Sequence, residues 1–346
     1  MANFPTIPTM DDILDMPLDA ISFRGTNANR VVKDTYSQLK RLQNVSSYSM
    51  QNEFYTCPRK FMRSKLRADQ EAKEVRETNV TFAFGHAVGA GVACYDETLD
   101  LRAAIWQAFL AWDVDLLEEE TRGVRKTGKS FHEAVWALML WKIFHTEQTD
   151  LSDYEVVKSE ATLVVDTEDG HYYPSHIDEL LRHRTTGHLR IKENKTTSLV
   201  NVDAAMYANT DQTLSYSVLV DMLGEQEYEV MYTIYSTANN EWLYFPFVKS
   251  ASKKAEWLQD QLLRNAQQDQ YAELKFFPKR GANCMQYNRR CSEFELCDTS
   301  AKFAFGKEFS ELPRCTSREQ LEAIEHIDYF TTLTEVVERQ KQRQPG

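Results

Sequence analysis

The residues best suited to chemistry lie in two apolar segments joined by a short polar turn. Asp178 lies in the first segment, and Glu193 and Lys195 lie at the end of the second. The pattern predicts a β-hairpin, and because strand side chains alternate, Glu193 and Lys195 share one face. Lys192 and Asn194 point to the other face. In the register that the turn favours, Asp178 lies near both, and two carboxylates beside an amine predict a divalent-metal site.

Such a site is suited to the hydrolysis of a phosphodiester. That reaction needs an activated water, neutralised charge in the transition state and help for the leaving group, and carboxylate-bound Mg²⁺ supplies most of this. Asp178 and Glu193 are candidate ligands because hard cations prefer oxygen. Lys195 would position the attacking water or stabilise negative charge. The hairpin alone leaves open an ordinary charged surface, since Glu-x-Lys triplets arise by chance in any charged chain.

Four short motifs follow one another along the chain in an order shared with a known group of nucleases. They are Gly85-His86 in a helix of small residues, Ile177-Asp178, Glu193-Asn194-Lys195-Thr196, and the helical pair Gln212 and Tyr216. In these motifs the chain resembles the PD-(D/E)xK nuclease superfamily, and in particular its RecB-like and Cas4-like branch. The resemblance covers about residues 47–300 and implies a metal-dependent deoxyribonuclease.

The resemblance also implies a set of metal ligands. His86, Asp178 and Glu193 would bind the metal, and the backbone carbonyl of Asn194 would complete its coordination. The metal would be Mg²⁺ or Mn²⁺. The softer imidazole of His86 beside two carboxylates favours Mn²⁺.

Further residues receive roles by the same resemblance. Lys195 would be the catalytic lysine, and Gln212 and Tyr216 would support the site or contact DNA. Glu160, on the preceding strand, is a further candidate for orienting the site. The basic residues Arg59, Lys60 and Arg63 lie beside Cys57 and would contact DNA; these clustered positive charges stand out in a chain of net charge −12. Each such cluster is otherwise a solvated face.

The implied activity is exonucleolytic cleavage of DNA ends or single strands. The sequence has no Walker A motif, so a helicase or recombination protein would be a separate partner. Two alternatives stay open: a non-catalytic module that binds DNA ends or assembles complexes on a nuclease-like fold, and a structure-specific endonuclease. DNA repair and recombination are among the pathways that use such enzymes.

The six cysteines are unevenly distributed, with three between Cys284 and Cys297. Such crowding in a chain of this composition indicates metal or cluster ligation. The iron–sulfur members of the resembled branch supply one N-terminal and three C-terminal cysteines. By that resemblance Cys57, Cys284, Cys291 and Cys297 would bind a 4Fe–4S cluster. The long spacing from Cys284 to Cys291 keeps a tetrahedral Zn²⁺ open as the alternative.

Composition also bears on location. No apolar run reaches the roughly 20 residues that span a bilayer. Residues 1–19 carry Asp and Pro where a secretory signal would carry a basic and then an apolar segment. We therefore expect no membrane contact and a cytoplasmic protein, in the host cytoplasm if a phage encodes it.

The period of the apolar residues changes from helical to alternating after Asp150. Before this point, aromatic residues at helical spacing predict two core helices, and these residues are Trp106, Phe109, Trp112, Phe131, Trp136, Trp141 and Phe144. After it, the pattern predicts strands over Glu155–Asp166, Tyr172–Arg182 and His188–Lys195, a helix over Val202–Leu223, strands over Glu227–Ser236 and Glu241–Val248, and a helix over Ser250–Tyr271.

This order of elements predicts an α/β (α+β) fold with a mixed central β-sheet flanked by helices, a helical N-terminal insertion and a C-terminal Cys-rich segment. The expected parts are an N-terminal arm (1–46), a helical region with the first cluster Cys and the His motif (47–150), the nuclease core (151–275), the Cys-rich segment (276–300) and a C-terminal helix and tail (301–346). The C-terminal helix is expected over Ser317–Arg339.

Overall fold

A six-stranded mixed sheet forms the centre of the protein. The computed structural model describes residues 36–68, 80–112, 116, 129–208, 210–221, 228–286, 289–299 and 306–342. The strands of the sheet are β1 (Tyr154–Asp166), β2 (Tyr172–His183), β3 (Leu189–Thr197), β4 (Tyr228–Ser236), β5 (Glu241–Phe247) and β8 (Tyr329–Thr332). A separate two-stranded ribbon consists of β6 (Met285–Gln286) and β7 (Arg289–Arg290).

The strand order is β5-β4-β3-β2-β1-β8. The strands β1, β2 and β3 form an antiparallel meander, and β5 is antiparallel to β4. Two pairs are parallel, β3 with β4 and β1 with β8. A parallel pair needs a crossover, and the chain between β3 and β4 supplies it as a helix that covers one face of the sheet.

The helices, in chain order, are α1 (Tyr48–Thr56), α2 (Pro58–Leu66), α3 (Val80–Thr98), α4 (Leu101–Ala111), α5 (Phe131–Glu147), α6 (Ala205–Ala208), α7 (Asp211–Val220), α8 (Ala251–Glu273), α9 (Phe294–Thr299), α10 (Arg318–Glu322) and α11 (Leu333–Gln342). Short 3-10 turns cover Leu151–Asp153, Gly281–Asn283 and Glu308–Glu311. No helix in these described parts is both long and apolar enough to cross a membrane.

The predicted fold class is confirmed, and the five strands after Asp150 lie within two residues of their predicted ends. Two predictions were wrong in detail. The helix expected over Val202–Leu223 is a short helix, α6, followed by α7, because the Thr210 N–H bonds to the Tyr207 carbonyl three residues back rather than four residues back as in a continuous α-helix. The single helix expected over Ser317–Arg339 is two helices with β8 between them, since Tyr329–Thr332 gains a parallel strand partner in β1.

The chain divides into two compact units. The first comprises residues 1–33 and 77–144, and the second comprises residues 34–76 and 145–346. The predicted domain boundaries remain predictions. Much of the predicted arm over 1–46 lies outside the described residues.

The first unit is built from α3, α4 and most of α5. The small residues of α3 allow close packing, since a Cβ added at Gly91 would lie 2.5 Å from Leu138 Cδ1. Trp112, Trp141 and Phe144 are buried as predicted, but the same prediction is wrong for Trp106, Phe109 and Trp136, which are exposed. Helical spacing identifies one side of a helix without saying which neighbour covers it.

The second unit has its main core between the sheet and the helices α7 and α8. Leu189 and Ile191 of β3 face this core together with Leu214 and Val218 of α7, and Trp257 of α8. Burial of each such side chain contributes about 1.5–3 kcal/mol. The same face of β3 continues to Glu193 and Lys195, so the apolar alternation that fixes the strand also fixes which face carries the candidate site.

Candidate active site

The site lies where strands β2 and β3 separate. Their antiparallel ladder ends at the pair Glu179↔Lys192, and beyond it β2 continues along β1 while β3 continues along β4. Asp178 and Glu193 are the first residues past this last rung, one on each strand. The predicted register is confirmed, and both carboxylates lie at the opening between the strands, which we call the fork.

Asp178 is held by the backbone of the opposite strand. The N–H of Asn194 donates to Asp178 Oδ2 over 2.8 Å. Burial raises the pKa of Asp178 well above its usual value and the charge of Glu193 raises it further, while the ammonium of Lys195 acts in the opposite direction. A carboxyl group in these surroundings is poorly stabilised as an anion, and a bound cation would favour its ionised form.

Glu193 is almost fully buried, with 1% of its surface exposed. Its Oε1 accepts hydrogen bonds from Lys195 Nζ (2.5 Å) and Gln212 Nε2 (2.7 Å). Its Oε2 is also buried, and none of the described residues donates a hydrogen bond to it. Because an unsatisfied buried acceptor costs about 1–3 kcal/mol, this oxygen is well suited to a hard cation.

Lys195 carries a positive charge at neutral pH. Burial acts to lower its pKa, but the carboxylates of Glu193 and Asp178 outweigh burial and hold the pKa above its usual value. Its side chain is 37% exposed, so the ammonium lies at the open side of the fork. A permanently protonated amine cannot take a proton from water, and its chemistry is therefore electrostatic.

Helix α7 connects the two strands of the fork. Gln212 Nε2 donates to Glu193 on β3, and Tyr216 Oη donates to the backbone carbonyl of His176 on β2 over 2.6 Å. Gln212 Nε2 also donates to Tyr216 Oη over 2.8 Å. Residues four apart lie on the same side of a helix, which explains the spacing of this motif. The pair thus spans the fork and orients Glu193.

Glu160 lies on β1 next to Ser159, which pairs with Glu179, and so it lies at the level of Asp178. Its backbone has a φ of +52°, a left-handed conformation that is uncommon for residues other than glycine. Although the residue keeps exposed surface, burial raises the pKa of Glu160 to about 7, and the charges of Glu193 and Glu179 contribute. Its role in orienting the site stays a prediction.

His86 is an exposed residue of α3 in the first unit, whereas Asp178 and Glu193 belong to the second unit. Within the described parts of the chain, no three His, Cys, Asp or Glu side chains are grouped as they would be around a metal ion. The two carboxyl groups and the backbone of Asn194 lie together at the fork. Oxygen donors of this kind, with the buried Glu193 Oε2 bonded by no described residue, suit a hard cation. Ligation by His86 stays a prediction.

A second group of polar residues lies on the reverse face of the same strands. Lys192 Nζ donates to Glu179 Oε1 over 2.5 Å, and the side-chain amide of Asn194 donates to the same oxygen over 3.2 Å. Thr233 Oγ1 of β4 donates to Asn194 Oδ1 over 2.6 Å. Sequence reasoning placed Lys192 and Asn194 on this face but gave their side chains no role. Charged residues at strand positions that face a core were the sequence signal that could have indicated this group.

The predicted cluster cysteines all belong to the second unit. Cys57 separates α1 from α2, and Cys284 and Cys291 flank the ribbon, where the Cys291 N–H donates to the Cys284 carbonyl over 2.9 Å. Burial raises the pKa of Cys291, the charge of Lys60 lowers it, and Cys57 raises it again. Cys297 lies in α9. Ligation of a cluster by the four stays a prediction.

The three basic residues predicted to contact DNA make contacts within the protein. Arg59 is buried, and its Nε donates to the carbonyl of Phe277 over 3.1 Å. Lys60 pairs with Glu53 at 3.7 Å, and Arg63 pairs with Glu293 at 3.8 Å. Lys60 has the most exposed side chain of the three. Their contact with DNA stays a prediction.

A mixed sheet with paired carboxylates and a lysine at a fork between two strands defines a metal-dependent nuclease fold. The family model of the PD-(D/E)XK nuclease superfamily matches residues 45–298, well over half of the chain. The chain belongs to this superfamily, whose members are generally nucleases that act on DNA and typically use Mg²⁺ or Mn²⁺. No curated protein matches the sequence significantly.

Proposed function

We propose that this protein is a metal-dependent deoxyribonuclease that degrades DNA from ends or along single strands. The observation that carries the proposal is the fork, where Asp178 and Glu193 meet beside the ammonium of Lys195 and where no described residue donates a hydrogen bond to the second oxygen of Glu193. Carboxylates beside a fixed ammonium are suited to metal-assisted hydrolysis of a phosphodiester.

Asp178, Glu193 and the carbonyl of Asn194 would hold the metal, with His86 as a further ligand. Mg²⁺ or Mn²⁺ at this position supplies a Lewis acid that polarises the scissile phosphate and acidifies a bound water. The protein's own contribution is to fix the ligands. The Asn194 N–H orients Asp178, and Gln212 orients Glu193.

Lys195 would act at the phosphate that is being attacked. Its ammonium is held by Glu193 and stays protonated, so it can donate a hydrogen bond to a phosphate oxygen or orient the attacking water. Negative charge grows on the phosphate oxygens in the transition state, and a fixed cation beside them lowers the barrier. Tyr216 would keep Gln212 in place rather than contact the reacting atoms.

The loop that follows β3 supports contact with unpaired bases. Leu199 and Val200 are 45% and 64% exposed although they are apolar. Their carbonyls are anchored, since Ser236 Oγ donates to Leu199 (2.9 Å) and Asn239 Nδ2 donates to Val200 (2.8 Å). Leu199 is four residues beyond Lys195, a distance of at most about 13 Å. Apolar side chains near the site can insert beside bases and favour a single strand.

The main test is degradation of linear single-stranded and duplex DNA in Mg²⁺ and in Mn²⁺. We expect cleavage by the wild-type protein and none by Asp178→Asn or Glu193→Gln. Glu155→Gln is the matched control, because Glu155 is an exposed acid on β1. The absence of activity in the wild type, or equal activity in Asp178→Asn, would favour the non-catalytic DNA-end-binding module instead.

The exonuclease mode has its own test. Covalently closed circular DNA has no ends, so an exonuclease leaves it intact while it degrades the linear form of the same molecule. Cleavage of the circle would identify an endonuclease, and preferential cutting of flaps or junctions would make it structure-specific. A requirement for a separate helicase or recombination partner would appear as weak activity on long duplexes that a motor protein restores.

We further propose that Cys57, Cys284, Cys291 and Cys297 hold a 4Fe–4S cluster. The proposal is supported by Asn283, whose Nδ2 donates to the Thr56 carbonyl over 2.6 Å and joins the segment of Cys284 to that of Cys57. Anaerobic purification with iron and sulfide analysis is the test. Zinc without iron would assign a tetrahedral Zn²⁺ instead. A cytoplasmic location remains part of the same proposal.

A further inference from the structure

The polar group on the reverse face of the fork has no part in the chemistry proposed above. We call it the back cluster, and it consists of Glu179, Lys192, Asn194 and Thr233. The exposed fraction of both Glu179 and Lys192 is 0%. Their ion pair is therefore completely enclosed by protein, directly behind the carboxylates that face the fork.

The back cluster lies at the last rung of the β2–β3 ladder. Glu179 and Lys192 are directly opposite one another in that ladder, and they flank Asp178 and Glu193 in sequence. A cross-strand ion pair at this position fixes both the register and the point at which the strands separate. The first residues beyond it are the two candidate metal ligands.

Stability alone does not account for such an ion pair. Moving two charges out of water is costly, and their attraction often fails to exceed that cost, so apolar residues of similar volume commonly serve as well. A buried ion pair can instead favour one arrangement of the strands, because each charge is costly to bury without its partner.

Asn194 connects the back cluster to the front of the sheet. Its side-chain amide donates to Glu179 and its Oδ1 accepts from Thr233, so the side chain is fixed at both ends. Its backbone N–H donates to Asp178 on the other face. Because one residue makes all three contacts, the orientation of its peptide group depends on Glu179 and Thr233.

We propose that Glu179, Lys192, Asn194 and Thr233 are positioning residues that set where β2 and β3 separate and hold the Asn194 peptide against Asp178. This inference rests on the proposed metal-dependent function. The back cluster determines the separation of the two carboxylates and the direction of the Asn194 carbonyl. Loss of the cluster therefore weakens metal binding, even where the fold survives.

The test is the double variant Glu179→Met/Lys192→Met, which replaces both charges by apolar side chains of similar length. The matched control is Asp221→Leu/Lys254→Met, which removes another buried ion pair, 2.7 Å long, at the end of α7 and the start of α8. Mn²⁺ affinity is measured directly by electron paramagnetic resonance, without DNA. We expect affinity to fall about 10–100-fold in the first double variant and to stay at the wild-type value in the control.

Thr233→Val provides a second, milder test if the double variant fails to fold. It removes only the hydroxyl that donates to Asn194, and Val fits a central strand. We expect Mn²⁺ affinity to fall about threefold to tenfold, below the loss from the double variant, with a parallel rise in the Mn²⁺ concentration that half-activates cleavage.

The outcomes separate this inference from the proposed function. Wild-type protein that does not bind Mn²⁺, or binds it equally well as Asp178→Asn, overturns the metal-dependent function itself. Mn²⁺ binding that depends on Asp178 but is unchanged in both Thr233→Val and a folded Glu179→Met/Lys192→Met variant overturns only the positioning role. Equal losses in the back-cluster variant and the Asp221/Lys254 control also overturn it, because they would show a general effect of lost stability.

Discussion

The two faces of the sheet at the fork both carry carboxyl and ammonium groups, but in different proportions. On the front, the two carboxyl groups of Asp178 and Glu193 share one ammonium, that of Lys195. On the back, one carboxylate meets one ammonium, and the amide of Asn194 adds a further bond. The front therefore has an excess of negative charge, whereas the back is neutral.

This difference shows how a strand pair can both be stable and bind a cation. A neutral, enclosed ion pair holds the strands together on one face. On the other face, two carboxyl groups face one ammonium, and this excess of acidic groups suits a cation. Alternation of side chains lets consecutive residues, such as Asp178 and Glu179, serve these two purposes. Single substitutions on the two faces should consequently have opposite effects on stability.

The largest expected effect is on the front face. Asp178→Asn should reduce DNA cleavage about 1,000-fold or more, since it removes a proposed ligand of the metal, and a bound metal would supply several kcal/mol to catalysis. The free energy of unfolding should stay unchanged or rise, because one of two repelling carboxylates is lost. Cleavage rates and urea denaturation of the same preparation check both parts. A large loss of stability would show that the front carboxylates hold the fold together.

The opposite result is expected for a single substitution on the back face. Lys192→Met leaves Glu179 buried without its partner and should reduce the free energy of unfolding by about 3–5 kcal/mol. The double variant Glu179→Met/Lys192→Met should recover most of that loss. Urea denaturation of the two variants measures the difference. Equal stability of the single and double variants would contradict the assignment of a buried, ionised pair.

Protonation of His145, whose pKa is affected by Lys192 of the back face, should make the free energy of unfolding depend on pH. Burial, and then the charge of Lys192, lowers the pKa of His145 to about 4 from an unfolded value near 6.5. The unfolded chain therefore binds more protons between these values, and this group's contribution to stability, at most about 3 kcal/mol, is lost as pH falls from about 6.5 to about 4. His145→Gln should lose less stability between pH 7 and pH 5 than the wild type. Denaturation at both pH values is the check, and identical acid sensitivity would contradict this pKa.

Metal ions should raise the free energy of unfolding through the residues of the front face and not through those of the back face. Mn²⁺ at about 100 times its dissociation constant should raise the free energy of unfolding by about 2.7 kcal/mol in the wild type. The effect should vanish in Asp178→Asn and persist in Glu155→Gln. Denaturation with Mn²⁺ and with a chelator measures it. Equal stabilisation of the wild type and Asp178→Asn would locate the metal elsewhere.

The smallest effect is expected where α7 supports the fork from above the front face. Tyr216→Phe removes a hydroxyl that donates to the His176 carbonyl and accepts from Gln212, and it should cost about 1 kcal/mol of stability. Cleavage should fall about tenfold, since Gln212 loses one of the contacts that hold it at Glu193. Tyr235→Phe, which removes a buried tyrosine hydroxyl that donates to Asn240 Oδ1 instead, serves as the control. A loss comparable with that of Asp178→Asn would make Tyr216 part of the chemistry.

Much of the architecture followed from local patterns. Alternation in β1 to β5 set the strands and the face of each residue, and the hairpin turn set the register that brings Asp178 to Glu193. The C-terminal segment was mispredicted because β8 is a strand only through its pairing with β1, which no local pattern records. The exposed Trp106 and Trp136 were mispredicted for a related reason. Helical spacing shows that residues share one face of a helix, but it does not show whether another element packs against that face.

The sequence by itself determined the chemistry that is available: two carboxylates and a lysine on adjacent strands, in motifs that carry the family. Only the tertiary structure decided how that chemistry is held. The point where β2 and β3 separate, the bridge that Gln212 and Tyr216 make across it, and the enclosed Glu179–Lys192 pair depend on contacts between distant segments. Burial and pairing set the charge state of each group, and both are properties of the folded neighbourhood rather than of the residue.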